Sequence, residues 1–195
     1  MKVPVDGVDT GTVVIFEREE PADAVYFFCK EHNLPDNIRK AILSDACKRD
    51  HITCTRDHAV LFSSGPIVVD GRSVGEVTLT PKMGEPIDVI HEFCKTKGLP
   101  HHIRQSILAK ACKISAVSCT REVPAVYSNT VAVDGVNLGE FFVLEGEEPV
   151  DAVFQFYKLR HRLGPSVREG LLNDICSKPD ILCTRARAIV YDSGP

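Results

Sequence analysis

The feature that most constrains this chain is a short frame that occurs three times: two cysteines separated by six residues, with Thr-Arg directly after the second cysteine. The three frames begin at Cys47, Cys112 and Cys176. Val-Asp-Gly triplets recur with nearly the same period, their aspartates standing 64 positions apart at Asp6, Asp70 and Asp134. Self-similarity at a fixed period is the signature of a repeat protein. The sequence therefore predicts three tandem repeats, at residues 1–66, 67–130 and 131–195.

Each repeat is predicted to begin with a β-hairpin. Alternating apolar residues lead up to the Asp-Gly pair, and a second strand pattern follows Gly11, Gly75 or Gly139. Asp-Gly favours a two-residue hairpin turn, because both residues tolerate positive φ. The predicted second strands cover residues 12–16, 76–80 and 140–144.

Two helices are predicted after the hairpin. The first begins at a Glu-Pro pair followed two positions later by aspartate, because Pro suits the first helical position and the helix dipole favours negative charge there. In repeat 1 this helix covers about residues 21–32. A Leu-Pro or Gly-Pro break then starts the second helix, which ends near the first cysteine of the frame. Apolar residues recur at helical spacing in both helices, in the first copy at Val25, Phe28, Cys29, Ile38, Ile42 and Leu43.

A third strand is predicted to close each repeat after the second helix, at residues 52–62, 117–127 and 181–191. The predicted fold class is therefore α+β, with three tandem ββααβ repeats. Each repeat would be a small sheet, made of the β-hairpin plus the closing strand, covered by the helix pair. The order of hairpin and then helix is similar to the β-grasp order of ubiquitin-like proteins, which is a topological analogy that carries no function.

The six cysteines of the frames are predicted to form three disulfides, since a unit of this size has a small core and is only marginally stable without a covalent link. The predicted pairs are Cys47–Cys54, Cys112–Cys119 and Cys176–Cys183. Two alternatives remain: reduced thiols packed as small hydrophobic groups, and metal binding, which the spacing disfavours. Cys29 and Cys94 are interpreted as core residues, because Tyr157 takes their place in the third repeat. Disulfides favour an extracellular or secretory location over the cytoplasmic alternative.

Two arginines recur in every repeat, one on the second helix and one after the second cysteine. They are Arg39, Arg104 and Arg168, and Arg56, Arg121 and Arg185. In the structural interpretation they pair with recurring acids such as Asp23 or Glu20 through bidentate hydrogen bonds. In the functional one, two guanidinium groups per repeat form a site for a carboxylate- or sulfate-bearing ligand, multiplied along the array by avidity.

The sequence contains no phosphate-binding loop, no nucleophile elbow and no His-Glu-x-x-His pair. An enzyme would have to combine histidines that differ among the repeats, such as His51, His58, His91 and His101. The polar residues of the hairpin loop weakly suggest calcium, but a turn whose short side chain bonds its own backbone explains them better. The sequence therefore predicts no catalytic residue, metal or cofactor.

The net charge and the hydropathy of the chain argue against nucleic acid and the membrane interior as partners. A formal charge of -4 without a long basic cluster argues against nucleic acid, and no apolar run approaches the about 20 residues that a bilayer needs. We expect a non-enzymatic tandem-repeat segment of a larger extracellular or cell-surface protein, serving as a structural, adhesive or binding array. Its expected partners are a protein or an acidic glycan, and neighbouring repeats of a longer array. The alternative is an intracellular protein-binding adaptor built of ubiquitin-like-ordered units.

Overall fold

The structure is a computed structural model that describes residues 2–5, 8–159 and 164–190. It is a mixed α+β fold, as the sequence predicts, with six helices and small two-stranded antiparallel sheets within these residues. The chain divides into two compact units, Met1–Cys119 and Thr120–Pro195.

In the described part of the chain, the helices come in pairs and each pair follows a group of strands. The strands are β1 Lys2–Val5, β2 Val8–Thr12, β3 Phe62–Ser63, β4 Ile67–Val69, β5 Arg72–Gly75, β6 Thr78–Leu79, β7 Ala125–Val133 and β8 Val136–Leu144. The helices are α1 Pro21–Glu31, α2 Asp36–Cys47, α3 Pro86–Thr96, α4 His101–Ala111, α5 Pro149–Leu159 and α6 Pro165–Cys176. The strand pairs are β1 with β2, β3 with β6, β4 with β5 and β7 with β8.

The second and third hairpin turns form at their Asp-Gly pairs. Asp70 and Gly71 have φ of 49° and 76°, and Asp134 and Gly135 have 51° and 77°, which is the backbone of a two-residue turn matched to the twist of the strands. In the third hairpin the Asn137 side chain accepts a hydrogen bond from the Gly139 N–H at 2.8 Å. The turn at Asp6 and Gly7 lies outside the described residues. The second strand predicted at residues 12–16 is wrong, because β2 covers Val8–Thr12 and residues 13–16 belong to no strand.

The helix predictions are confirmed. α1, α3 and α5 each begin with a proline that is itself buried, followed by an aspartate in the first turn. α2 ends at Cys47, the first cysteine of its frame. Among the described residues, no helix has both the length and the apolar content needed to cross a membrane.

Buried side chains gather in three clusters, each built around one helix pair. The first core contains Val13, Ala22, Val25, Cys29, Ile42 and Leu43. The second core contains Phe62, Val77, Leu79, Ile87, Ile90, Cys94, Ile107, Leu108, Ala111 and Val117. The third core contains Val131, Phe141, Val143, Ala152, Val153, Phe156 and Ile175. Phe62 and the partly buried Leu61 therefore pack against the helix pair that follows them in the chain.

The predicted closing strands are wrong over most of their length. Residues 52–61, 117–124 and 181–190 are irregular, and residue 191 lies outside the described residues. The physical reason is competition for backbone hydrogen bonds: the Thr55 and Val60 N–H groups donate to the carboxylates of Glu20 and Asp23. A backbone bound to side chains cannot also form a strand ladder at those positions.

Where a strand does form in this region, it pairs with the hairpin that comes later in the chain. Phe62 lies opposite Leu79, and the Leu61 N–H donates to the Leu79 carbonyl at 2.8 Å. In the other compact unit, the strand that begins at Ala125 runs on into its own hairpin, so Tyr127 lies opposite Val143. The sheet formed by a hairpin and its own closing strand is therefore not observed in the described part of the chain.

We expect Gly75→Ala to destabilise the second core. Gly75 has φ of +120°, where a Cβ is strained, and an added Cβ would lie 3.5 Å from the Phe93 ring. The expected loss is about 1–3 kcal/mol in the free energy of unfolding, measured by urea denaturation. Gly84→Ala is the matched control, because a Cβ there meets no atom within 4 Å. Equal effects of the two substitutions would contradict the argument from φ.

Candidate functional site

The recurring frame is closed by a disulfide in all three copies, which confirms the predicted pairing. The Cα atoms of Cys47 and Cys54 are 5.7 Å apart, and those of the other two pairs are 5.8 Å apart. Each bond ties the end of a second helix to the irregular segment after it. Closing a loop of this length stabilises a chain by about 2.5 kcal/mol in the chain-entropy model. Disulfides are typical of an oxidising, extracellular or secretory environment.

Two carboxylates at the start of α1 hold the Thr-Arg pair of the first frame. Glu20 accepts hydrogen bonds from both the Thr55 N–H, at 3.3 Å, and the Thr55 hydroxyl. Asp23 receives both terminal nitrogens of Arg56, at 2.9 and 2.6 Å, and the Val60 N–H at 2.9 Å. We call this set of contacts the acid clamp. It pairs Arg56 with Asp23, as the structural interpretation predicts.

The same clamp occurs in the other compact unit. Glu148 accepts from the Thr184 N–H at 3.0 Å and from its hydroxyl at 2.6 Å. Asp151 binds both terminal nitrogens of Arg185 and accepts from the Ile189 N–H at 3.0 Å. Two carboxylates at the start of a first helix thus fix the segment after the second cysteine in both units.

The clamps favour the ionised forms of Arg56, Glu148, Asp151 and Arg185. The hydrogen bonds that Arg56 donates to Asp23 raise the pKa of Arg56 above its ordinary value. In the other unit, the Arg185 guanidinium lowers the pKa of Asp151, and the Thr184 hydroxyl lowers the pKa of Glu148. These arginines are therefore charged and already bound to carboxylates, so their guanidinium forks are committed to the fold.

The arginines on the second helices have different surroundings in each copy. Arg39 is only 7% exposed and donates from Nε to Asp36 at 2.8 Å, within its own helix. Arg104 is equally buried and contacts the Nδ1 atoms of His91 and His101, at 2.5 and 2.6 Å. Arg39 therefore binds an aspartate of its own helix, and Arg104 contacts two histidines.

Two further arginines lie over aromatic rings. The Arg121 guanidinium carbon is 4.9 Å from the centroid of Phe142, and one of its nitrogens donates to the Val123 carbonyl at 3.3 Å. The Arg168 carbon is 5.7 Å from the centroid of Phe154. These distances are within the range of cation–π attraction, so both side chains are held by their own compact unit.

One cavity brings the two predicted arginines of the first repeat together. It has a volume of about 540 Å³, and Leu43, Cys47 and Cys54 are among its lining residues. Its charged lining residues are Arg39, Lys40, Arg56, Asp57 and Lys82. Four cations and one carboxylate give this cavity a positive character. We call it the cationic pocket.

Comparing the three repeats in sequence does not identify Lys40 and Lys82 as residues of the cationic pocket. Lys40 follows Arg39 on α2, and its ammonium pairs with Asp36 at 3.0 Å. Lys82 lies before α3, where the other repeats have no lysine, and among the described residues no hydrogen bond or ion pair to it is seen. Only the folded chain brings Lys82 beside the first frame, so no sequence spacing could have indicated it.

The two cysteines outside the recurring frames are explained by core packing. Cys29 and Cys94 are buried in the first and second cores, and burial raises the pKa of both thiols. They are core residues, as predicted. Within the described ranges, no group of three or more His, Cys, Asp or Glu side chains is arranged to hold a metal ion.

A scan against models of known protein families finds none that matches this chain, and searches of curated proteins and of solved structures find no match either.

We expect Arg56→Ala to lower the stability of the first core. The substitution removes a bidentate ion pair whose partners are each about one-quarter exposed, and the loss is about 1–3 kcal/mol in the free energy of unfolding. Calorimetry of the whole chain measures it as a lower Tm. Arg49→Ala is the control, because it breaks only the exposed pair with Asp45, which contributes at most about 0.5 kcal/mol. Unchanged melting of Arg56→Ala with loss of anion binding would favour the functional interpretation instead.

Proposed function

We propose that this chain is a non-enzymatic array of three tandem ββααβ repeats, at residues 1–66, 67–130 and 131–195, from a larger extracellular or cell-surface protein. Its role is that of a structural, adhesive or binding array. The end of the first repeat, at Leu61 and Phe62, pairs with Leu79 of the second repeat, as neighbouring units of a repeat array do.

The observation that carries this proposal is that the recurring residues make contacts within the fold. In both compact units the glutamate, the aspartate, the threonine and the arginine of the pattern bind one another, and each frame is closed by a disulfide. Residues that recur because they hold each copy together are what a scaffold of repeated modules requires. A catalytic site would instead need recurring groups aimed at a substrate.

Free-thiol counting separates this proposal from the intracellular adaptor. We expect two reactive thiols per chain under denaturing, non-reducing conditions, from Cys29 and Cys94, because the other six cysteines are in disulfides. The protein must be isolated from its natural source or secreted by a eukaryotic host, with an alkylating reagent present from lysis onward. Eight reactive thiols would favour the adaptor in a reducing compartment.

We also propose that the cationic pocket binds a carboxylate- or sulfate-bearing ligand, such as an acidic glycan. The specific support is the lining, which combines Lys40 and Lys82 with Leu43 and the disulfide. A cavity with both apolar and cationic lining residues suits a sugar ring that carries sulfate or carboxylate groups. Arg39 and Arg56, which are fixed by carboxylates, add positive potential without having to release their partners.

Titration with a sulfated disaccharide tests the pocket. We expect binding that weakens as salt is added, and Lys82→Ala should raise the dissociation constant about two- to five-fold, since an exposed charge contributes at most about 1 kcal/mol. Lys113→Ala is the control, because Lys113 is an exposed lysine that does not line the pocket. An equal effect of the two substitutions, or no binding at low salt, would rule out the pocket as the site.

A further inference from the structure

We propose that the Cys47–Cys54 disulfide is a site of thiol–disulfide exchange with small anionic thiols, of the class of glutathione, and that it reacts faster than the Cys112–Cys119 disulfide. A thiol of this class carries carboxylates on the same molecule as its sulfur. The site uses the cations of the cationic pocket and does not require that a glycan binds there. It adds a reactive site to the array proposed above.

Both cysteines of the first frame are accessible to a small molecule. Cys47 and Cys54 line the cationic pocket, which has a volume of about 540 Å³. Cys47 is exposed and Cys54 is half-buried, whereas the free thiol of Cys29 is buried in the first core. Exchange requires contact between the attacking sulfur and the attacked sulfur. A small thiol can therefore reach this bond while the first core stays folded.

The charges around this disulfide favour an anionic attacker. The cations that line the pocket are Arg39, Lys40, Arg56 and Lys82. The carboxylate of the pocket, Asp57, is itself in contact with the His58 Nδ1 at 2.6 Å. The attacking thiolate is an anion, and the reaction places negative charge on the sulfur that leaves. Cations beside the bond stabilise both, as they stabilise reactive thiolates in general.

The other two disulfides have the same spacing but fewer cations at the corresponding positions. In all three pairs the cysteines are seven positions apart, the first exposed and the second half-buried. Directly after the arginine of the second helix, the three repeats carry Lys40, Gln105 and Glu169. Lys82 comes from the second repeat, and the corresponding residues 140–148 of the third repeat contain no lysine or arginine. The attraction for an anionic thiol is therefore greatest at the first disulfide.

The proposed reaction has two steps. In the first, the thiolate sulfur of the small thiol forms a bond to the Cys47 Sγ, the bond between the two Sγ atoms breaks, and its electron pair stays on Cys54 as a thiolate. In the second, another molecule of the thiol displaces the first from Cys47. Two small thiols are thus oxidised to one disulfide, and the protein disulfide is reduced to two thiols.

Exposure and electrostatics both assign Cys47 as the sulfur that is attacked. Cys47 is the more exposed of the two. It is also the last residue of α2, where the helix dipole disfavours a negative charge. Cys54 shares the pocket with Arg56, two positions further along the chain, so a thiolate is better stabilised there.

The acid clamp holds the site together when the disulfide opens. Thr55 is bound by Glu20, and Arg56 is bound by Asp23. The segment that carries Cys54 therefore stays joined to α1 after its bond to α2 is broken. Because the two cysteines remain close together, Cys54 can displace the small thiol from Cys47 and close the disulfide again.

Opening rates of two disulfides in the same chain test the proposal. Full-length oxidised protein is incubated with glutathione, new thiols are alkylated at intervals, and the labelled peptides are identified by mass spectrometry. We expect Cys47–Cys54 to open about four- to twenty-fold faster than Cys112–Cys119, since each of two additional exposed cations contributes about two- to five-fold. The ratio should fall with added salt and with cysteamine, whose ammonium group is repelled. Equal rates with glutathione, or the same ratio with cysteamine, would overturn the proposal.

Exchanging one residue between two repeats tests the electrostatic cause. Lys40→Gln and Gln105→Lys swap the residues at corresponding exposed positions of α2 and α4. We expect Lys40→Gln to slow the opening of the first disulfide about two- to five-fold and Gln105→Lys to accelerate that of the second by a similar factor. Lys97→Ala is the control, because Lys97 is exposed and does not line the pocket. A change in neither disulfide, or the same change in both from one substitution, would contradict the electrostatic argument.

The position of the first adduct tests the direction of attack. In samples alkylated early in the reaction, we expect glutathione on Cys47 and the alkyl group on Cys54. Glutathione on Cys54 instead would overturn the assigned direction. Binding of the sulfated disaccharide is measured on the oxidised protein without any thiol, so a failure of exchange excludes this reaction and leaves the glycan proposal in place.

Discussion

The acid clamp is the interaction on which the rest of this structure depends. A glutamate and an aspartate, one turn apart at the start of a first helix, bind the backbone and side chains of a Thr-Arg pair about 35 residues later in the chain. These bonds join the segment after the second helix to the start of the first helix, so the two ends of the helix pair are held together. They also occupy the backbone N–H groups that would otherwise form a strand ladder.

The disulfide and the clamp hold adjacent residues and join them to different helices. Cys54 is joined to the end of α2, while Thr55 and Arg56 are joined to the start of α1. A core of about six buried side chains, such as the first core, leaves a small margin of stability. A covalent link and a charge-assisted network at one junction supply what so small a core lacks. Lys40 and Lys82 line the cationic pocket beside this junction.

The residues directly after the first acid clamp connect the first repeat to the second. Val60 is the last residue that binds a carboxylate of that clamp, and Leu61 and Phe62 pair with the second hairpin and pack in the second core. The boundaries of the first sequence repeat therefore differ from the boundaries of its packed core. The last strand of that repeat, at Phe62, pairs with the second hairpin and packs in the second core. Stability in such a chain is expected to depend on nearest neighbours as well as on each core.

The sequence alone determined the elements whose causes are local. The Asp-Gly turns, the prolines at the helix starts and the pairing of Cys47 with Cys54 all follow from backbone preference and short spacing. Tertiary structure decided the rest, since it depends on residues far apart in the chain. Residues 52–61 carry an apolar pattern typical of a strand, yet Glu20 and Asp23 bind their backbone, and Lys82 reaches the cationic pocket only through folding. Periodicity reports which side chains are buried, but not which distant group binds the backbone between them.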